Sequence, residues 1–235
     1  MKRNICLLSF AASLLLACTG TGAQTLDAQR AAMRVAIDNA ERGQFDAAAT
    51  AGLRNHPLYG WLEYSALRRG IDTVDTPQAL DFLKRYQGQA VADAFRAAWL
   101  PALARRQDWP TLLANWRPSN DPGLQCAELN ARLATGKADA GWIRDAQALW
   151  RSSGKSLPDA CDPVFAALAD RGGLTPALRW ERIDAAADAQ QPGVMRAAAR
   201  GLPAAELAQA NAYAAFVDKP DARALDWPKT ERSRR

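Results

Sequence analysis

Few side chains in this 235-residue chain combine a reactive type with a useful context. Glu63, Glu128 and Glu181 could in principle supply the two carboxylates that flank a glycosidic bond, one as acid and the other as base. Each, however, sits in a helical pattern among aromatic or aliphatic neighbours, which predicts an exposed or salt-bridged carboxylate. His56 is the sole imidazole, so a histidine-activated nucleophile could use no other, and His56-Pro57 has the form of a helix-entry turn. With one histidine, a zinc site would lack partners. The glycines are single helix stops rather than a phosphate-cradling loop. No catalytic residue, metal site or cofactor is expected.

The remaining reactive groups are cysteines, and their reading depends on the N-terminus. Lys2 and Arg3 form a positive start, Ile5 to Ala17 an apolar stretch, and Thr21-Gly22-Ala23 a small-residue cleavage site before Gln24. This is the layout of a secretory signal peptide over residues 1–23, with the apolar stretch too short to span a bilayer. No later segment approaches the roughly 18 consecutive apolar residues of a transmembrane helix. Leu15-Leu16-Ala17-Cys18 offers a competing reading, lipidation at Cys18 as an outer-membrane lipoprotein, although Leu16 is not typical directly before Ala17. Either route places the mature protein outside the cytoplasm, in the periplasm. Cys126 and Cys161 are then the only mature cysteines, 35 positions apart and without a Cys-x-x-Cys motif. In an oxidising compartment such a pair is expected as a disulfide, the alternative being two free buried thiols.

Charge argues against nucleic acid as a partner. Of the formal +5, Lys2 and Arg3 carry two, and Lys229 to Arg235, with four basic residues and Glu231, carry a net three. Residues 24–228 are therefore neutral, without the basic surface that a nucleic-acid interface needs.

The elements that would position any site are helical throughout. Met33, Ala36, Ile37 and Ala40 follow helical spacing up to Gly43, and Leu58, Trp61, Leu62 and Ala66 up to Gly70. Thr76-Pro77 has the form of a cap with proline at the first helical position, leading into Ala79, Phe82, Leu83 and Tyr86. Val91, Ala94, Phe95 and Ala98 continue the pattern, with Pro101 expected to bend or end that helix. Further stripes begin after Asp108, at Cys126, at Trp142 (stopping at Gly154), at Cys161 (stopping at Gly172-Gly173) and after Thr175-Pro176. An alanine-rich helix follows Pro203 through Val217. The eight tryptophans, seven of them before residue 200, fall at helical spacing and are expected in the core rather than as sugar platforms.

Alternating β-branched runs are absent. The expected fold is all-α, an irregular α-solenoid of stacked antiparallel hairpins over residues 24–217. Arg42 to Ala48 has the turn character of a tetratricopeptide-like hairpin, but no strict 34-residue period emerges. Residues 218–235, with Pro220, Pro228 and five basic residues beyond Lys219, are expected to be a polar tail, disordered or cut from a longer array.

Several blocks together resemble one known family. Pro57-Leu58-Tyr59 with Leu62-Glu63-Tyr64, Leu103 to Trp109, Gln125-Cys126, Leu149-Trp150, Gly154 to Asp162 and Glu181-Arg182-Ile183 resemble, in order, the N-terminal superhelical region of the soluble lytic transglycosylases. The resemblance covers about residues 25 to 217. It implies a U-shaped superhelix and a periplasmic role in peptidoglycan turnover, and the family joins the cysteines matching Cys126 and Cys161. Full-length members cleave the bond between N-acetylmuramic acid and N-acetylglucosamine to leave a 1,6-anhydro end. A glutamate followed by serine, in a lysozyme-like domain, does this. This sequence has no Glu-Ser dipeptide and no Gly-Leu-Met-Gln or Ala-Tyr-Asn motif, and Asn211-Ala212-Tyr213 is only an echo. The resemblance thus implies a scaffold portion whose catalytic domain lies outside these residues, with glycan strands and cell-wall proteins as partners. A stand-alone periplasmic adaptor that binds proteins is the other expectation.

Overall fold

The structure is a computed structural model and describes residues 25–220. The expected signal segment, Cys18 and residues 221–235 lie outside the described residues. Among those residues there are eleven α-helices and no strand. The chain divides into two compact units, one ending at Ser65 and the other beginning at Ala66.

The first unit contains α1 (Leu26–Glu41), a 3₁₀ turn at Ala51–Leu53 and the start of α2 (Tyr59–Arg69). Thr25 caps α1 by accepting from the Ala28 amide at 3.3 Å. Met33, Ala36 and Ala40 form its buried stripe. The chain leaves α1 through Gly43, whose φ of 82° is the left-handed conformation that glycine adopts without penalty. The tetratricopeptide-like hairpin does not form. Asp46 accepts from the Ala48 and Ala49 amides, making a turn where a second long helix would start. His56 then accepts from the Leu58 amide through Nδ1 at 3.1 Å just before α2, the structural role expected of it. Leu58 lies outside α2 and is 46% exposed, so the buried stripe of that helix begins with Tyr59 and Leu62 instead.

The second unit is a layered array in which helices pack chiefly on neighbours in sequence. Its helices are α3 (Thr76–Arg85), α4 (Ala90–Arg105), α5 (Trp109–Asn115), α6 (Pro122–Ala134), α7 (Ala140–Arg151), α8 (Asp162–Asp170), α9 (Pro176–Asp188), α10 (Pro192–Ala199) and α11 (Ala204–Asp218). The pairing runs α3 on α4, α4 on α5 and α6, α6 on α7 and α8, α7 on α8 and α9, and α10 between α9 and α11. Short helices of this kind bury their apolar stripes only by such layering.

Acidic and hydroxyl caps start most of these helices. Asp75, Asp108, Asp121, Asp139 and Thr175 each accept a backbone N–H of the first turn. For α3 the cap is Asp75 rather than Thr76, which is the first helical residue. Pro101 neither ends nor interrupts α4. The carbonyl it leaves without a donor belongs to Ala97, which is exposed to water, while Trp99, Leu100 and Leu103 on the other face are buried. The proline cost of about 3 kcal/mol is offset by burying those three side chains at about 1.5–3 kcal/mol each.

The core reaches from Cys126 to Ala214, with Trp142, Leu149, Trp150, Leu168, Ile183 and Met195 at its centre. Trp142 Nε1 donates to the Leu129 carbonyl at 2.8 Å and Trp150 Nε1 to the Leu178 carbonyl at 3.0 Å. The buried indoles of α7 thus pin it to α6 and to α9. Of the seven described tryptophans, Trp99, Trp142 and Trp150 are buried, whereas Trp61, Trp109, Trp116 and Trp180 are half-buried. Only three are core residues in the full sense expected. Cys126 and Cys161 are joined by a disulfide with their Cα atoms 4.9 Å apart. It ties α6 to a 3₁₀ turn at Asp159–Cys161 that leads directly into α8. The Asn130 amide donates to the Ala160 carbonyl at 2.7 Å and holds the same turn from α6.

Candidate functional site

The structure keeps the three glutamates on separate helices. Glu63 is half-buried on α2, and Glu181 on α9 is largely exposed, 4.0 Å from Arg151. Glu128 on α6 differs from both, with a side chain only 14% exposed. It lines a cavity of 460 Å³ together with Trp116, Gln125, Arg132 and Asp145.

Arg132 organises this cavity. One turn after Glu128, it lies 3.6 Å from that carboxylate, 2.7 Å from Asp145 and 3.3 Å from Asp139. Asp139 also caps α7 by accepting from the Trp142 amide at 2.9 Å. That backbone hydrogen bond, with a smaller contribution from Arg132, holds its carboxyl below the usual range. Burial pushes the Glu128 carboxyl above its ordinary value, an effect that Asp145 reinforces and Arg132 opposes. Burial alone would lower the Arg132 guanidinium, but its bond to Asp145 and the surrounding carboxylates raise it instead.

A carboxyl with a raised pKa is a requirement for general-acid catalysis. It is not sufficient here, because Glu128 and Asp145 share a single arginine and neither is paired with a base of its own. What the arrangement offers is hydrogen bonding beside a half-buried indole. Among the described residues, no group of three His, Cys, Asp or Glu could hold a metal ion. No described helix is long and apolar enough to cross a membrane.

The sign of the Glu128 shift gives a testable pH dependence. A carboxyl raised in the folded state contributes stability below its ordinary value of 4.5, and that contribution is lost as pH rises through the folded-state value. The Glu128→Gln variant removes this loss. Its melting temperature is expected to equal or exceed that of the unaltered chain near pH 7, with a flatter profile as pH rises above the ordinary carboxyl value of 4.5. A variant that melts lower at pH 7 and keeps the slope contradicts this account.

The arginines of α9 were not singled out as a site by the sequence pattern. Arg179 and Arg182 are 8% and 6% exposed, the two charged side chains among the buried residues described. Arg182 donates to the Trp150 carbonyl at 2.7 Å and to the Lys155 carbonyl at 3.5 Å. Its guanidinium stacks 4.6 Å over the Trp150 ring and 5.5 Å over Phe165. The available signal was their position among Leu178, Ile183 and Ala186, where an apolar stripe is broken twice by arginine three residues apart.

The described residues thus form a layered, disulfide-braced array of short helices. The chain is 30% identical over 224 residues, 93% of its length, to the soluble lytic murein transglycosylase of Salmonella typhimurium. It is 30% identical over 221 residues, 92% of its length, to the enzyme of the same name from Escherichia coli K12. The crystal structure of the 70-kDa soluble lytic transglycosylase of Escherichia coli matches with a TM-score of 0.71 and 28% identity, covering 83% of this chain and 32% of that one. No protein-family model matches the chain. It spans about a third of the length of the curated relatives. The chain is thus related, in sequence and fold, to a partial region of a soluble lytic murein transglycosylase.

Proposed function

We propose that this chain is the scaffold portion of a periplasmic lytic transglycosylase, an enzyme that cleaves the bond between N-acetylmuramic acid and N-acetylglucosamine in peptidoglycan to 1,6-anhydro ends. The observation that carries the reading is the coincidence of sequence and fold similarity over more than four-fifths of the chain. In this reading residues 1–23 direct export, residues 24–217 form the helical scaffold, and residues 218–235 are a polar tail. The scaffold holds the glycan-cleaving domain in position, and glycan strands or cell-wall proteins lie against it. The glutamate that acts on glycan lies outside these residues, in keeping with the Glu128–Arg132–Asp145 cluster described above.

Purified residues 24–235 incubated with murein sacculi are expected to release no anhydro-muropeptides, as read by mass spectrometry against a buffer control. Release that disappears in a Glu63→Gln, Glu128→Gln or Glu181→Gln variant would overturn the scaffold reading. Reading the DNA beyond codon 235 separates it from a stand-alone adaptor: an open frame leading to a Glu-Ser motif is expected.

A further inference from the structure

A second cleft, of 810 Å³, opens where α8, α9 and α10 approach one another, and its chemistry differs from that of the Glu128 cavity. Arg179 and Arg182 both line it, and Arg200 stands exposed at its edge. Arg182 is fully engaged by carbonyls and rings, as described above. Arg179 is not. It donates once, to the Ala198 carbonyl at 3.3 Å, while its buried Nε has no hydrogen-bond partner. No carboxylate among the described residues is ion-paired with either arginine, and burial alone lowers both guanidinium pKa values. A buried cation without a counter-ion is costly unless hydrogen bonds or a counter-charge satisfy it, and Arg179 has only one such bond.

Two further features point the same way. The start of α10 has no side-chain cap, and Gly193 and Val194 of its first turn line the same cleft. Uncapped amides at a helix start carry partial positive charge and favour an anion. The backbone at Gly201 also approaches the Arg179 guanidinium closely enough that a Cβ there would lie 2.9 Å from a terminal nitrogen. The guanidinium is therefore held in place rather than free to swing into solvent.

We propose that this cleft is an anion subsite that takes a carboxylate of a short peptide, held by the Arg179 guanidinium and the first-turn amides of α10. A planar guanidinium edge matches a planar carboxylate. Phe165, Leu157, Leu174 and Val194 give the cleft an apolar wall for the aliphatic part of a peptide, and the exposed Asp162 carboxylate at its edge suits an amino group. Two sources of such a group are the peptide portion of murein, which rests on the reading above, and free peptides.

The test uses the full chain without its first 23 residues, titrated by NMR with three probes. These are a short acidic peptide with free carboxylates, the same peptide fully amidated, and inorganic phosphate. The free-carboxylate peptide is expected to shift the Arg179 side-chain signals and the Gly193 and Val194 amides, and amidation or Arg179→Met to weaken it at least about tenfold. Equal binding of the amidated peptide, or shifts elsewhere only, would overturn the proposal. Phosphate binding as tight as the peptide would overturn the carboxylate assignment. The spectra of the unaltered chain decide even if Arg179→Met does not fold. Muropeptides digested from sacculi, competed against the free peptide, distinguish the two sources. The release assay on sacculi tests the scaffold reading alone, so failure of one is not failure of the other.

Discussion

Reducing the Cys126–Cys161 bond is expected to lower the melting temperature of the described residues by about 8–16 °C. The bridge closes a loop of 35 residues that contains the whole of α7. On the chain-entropy estimate such a closure is worth about 4 kcal/mol, and for a domain of this size each kcal/mol shifts the midpoint by about 2–4 °C. Both sulfurs lie in fully buried residues at the head of the main core, so the bond also fixes where α8 meets α6. The Asn130–Ala160 hydrogen bond holds the turn locally but restrains little of the unfolded chain. Calorimetry of oxidised protein, reduced protein and the Cys126→Ala/Cys161→Ala double variant separates loop closure from the cavity left by the lost sulfurs. A reduced form that melts within about 2 °C of the oxidised form would mean that the unfolded chain gains nothing from the constraint.

The helices were legible because burial here follows a 3.6-residue period that local sequence cannot hide. Ala79, Phe82 and Leu83 on α3, and Trp142, Ala146, Leu149 and Trp150 on α7, are buried as their spacing predicts. Thr175 is an N-cap for a reason visible in four residues, its hydroxyl reaching the Leu178 amide. What was not legible depends on neighbours distant in sequence. Pro101 looks like a stop until the exposure of Ala97 and the burial of Trp99 and Leu103 are known. The half-exposure of Trp116 depends on where α6 and α7 leave a cavity. Glu128 was set aside as an ordinary carboxylate, and ion-paired it is. Its burial, though, comes from α7, whose Asp139 and Asp145 meet Arg132 across a helix pair. Arg179 and Arg182 belong to the same class, since charge in an apolar stripe signals a site only once its partners are seen to be carbonyls and rings rather than carboxylates.

Gly154 shows the same limit in a single residue, and its replacement should be strongly destabilising. By its place after Trp150 it resembles a helix stop, where the need is a left-handed backbone. Its role differs from that of Gly43, Gly136 or Gly172, whose φ values are positive, for Gly154 is not among the positive-φ residues. The constraint on it is proximity. A Cβ at this position would lie 2.0 Å from the Ala185 carbonyl oxygen and 2.4 Å from its carbon, both backbone atoms in the last turn of α9. Neither can rotate away as a side-chain tip would. Moving the 152–156 segment outward instead would pull the Lys155 carbonyl from Arg182 and disturb that guanidinium's stacking on Trp150. Replacing glycine by alanine ordinarily stabilises by about 0.4–1 kcal/mol where the backbone tolerates it, through the unfolded chain. Here overpacking wins, and Gly154→Ala is expected to cost about 3 kcal/mol. Gly136→Ala is the matched control. No atom lies within 4 Å of its would-be Cβ, so only the left-handed strain of about 1–2 kcal/mol applies. Chemical denaturation of both variants gives the comparison directly. If Gly154→Ala unfolds at the same denaturant concentration as the unaltered chain, α9 does not pack backbone to backbone on the segment that follows α7.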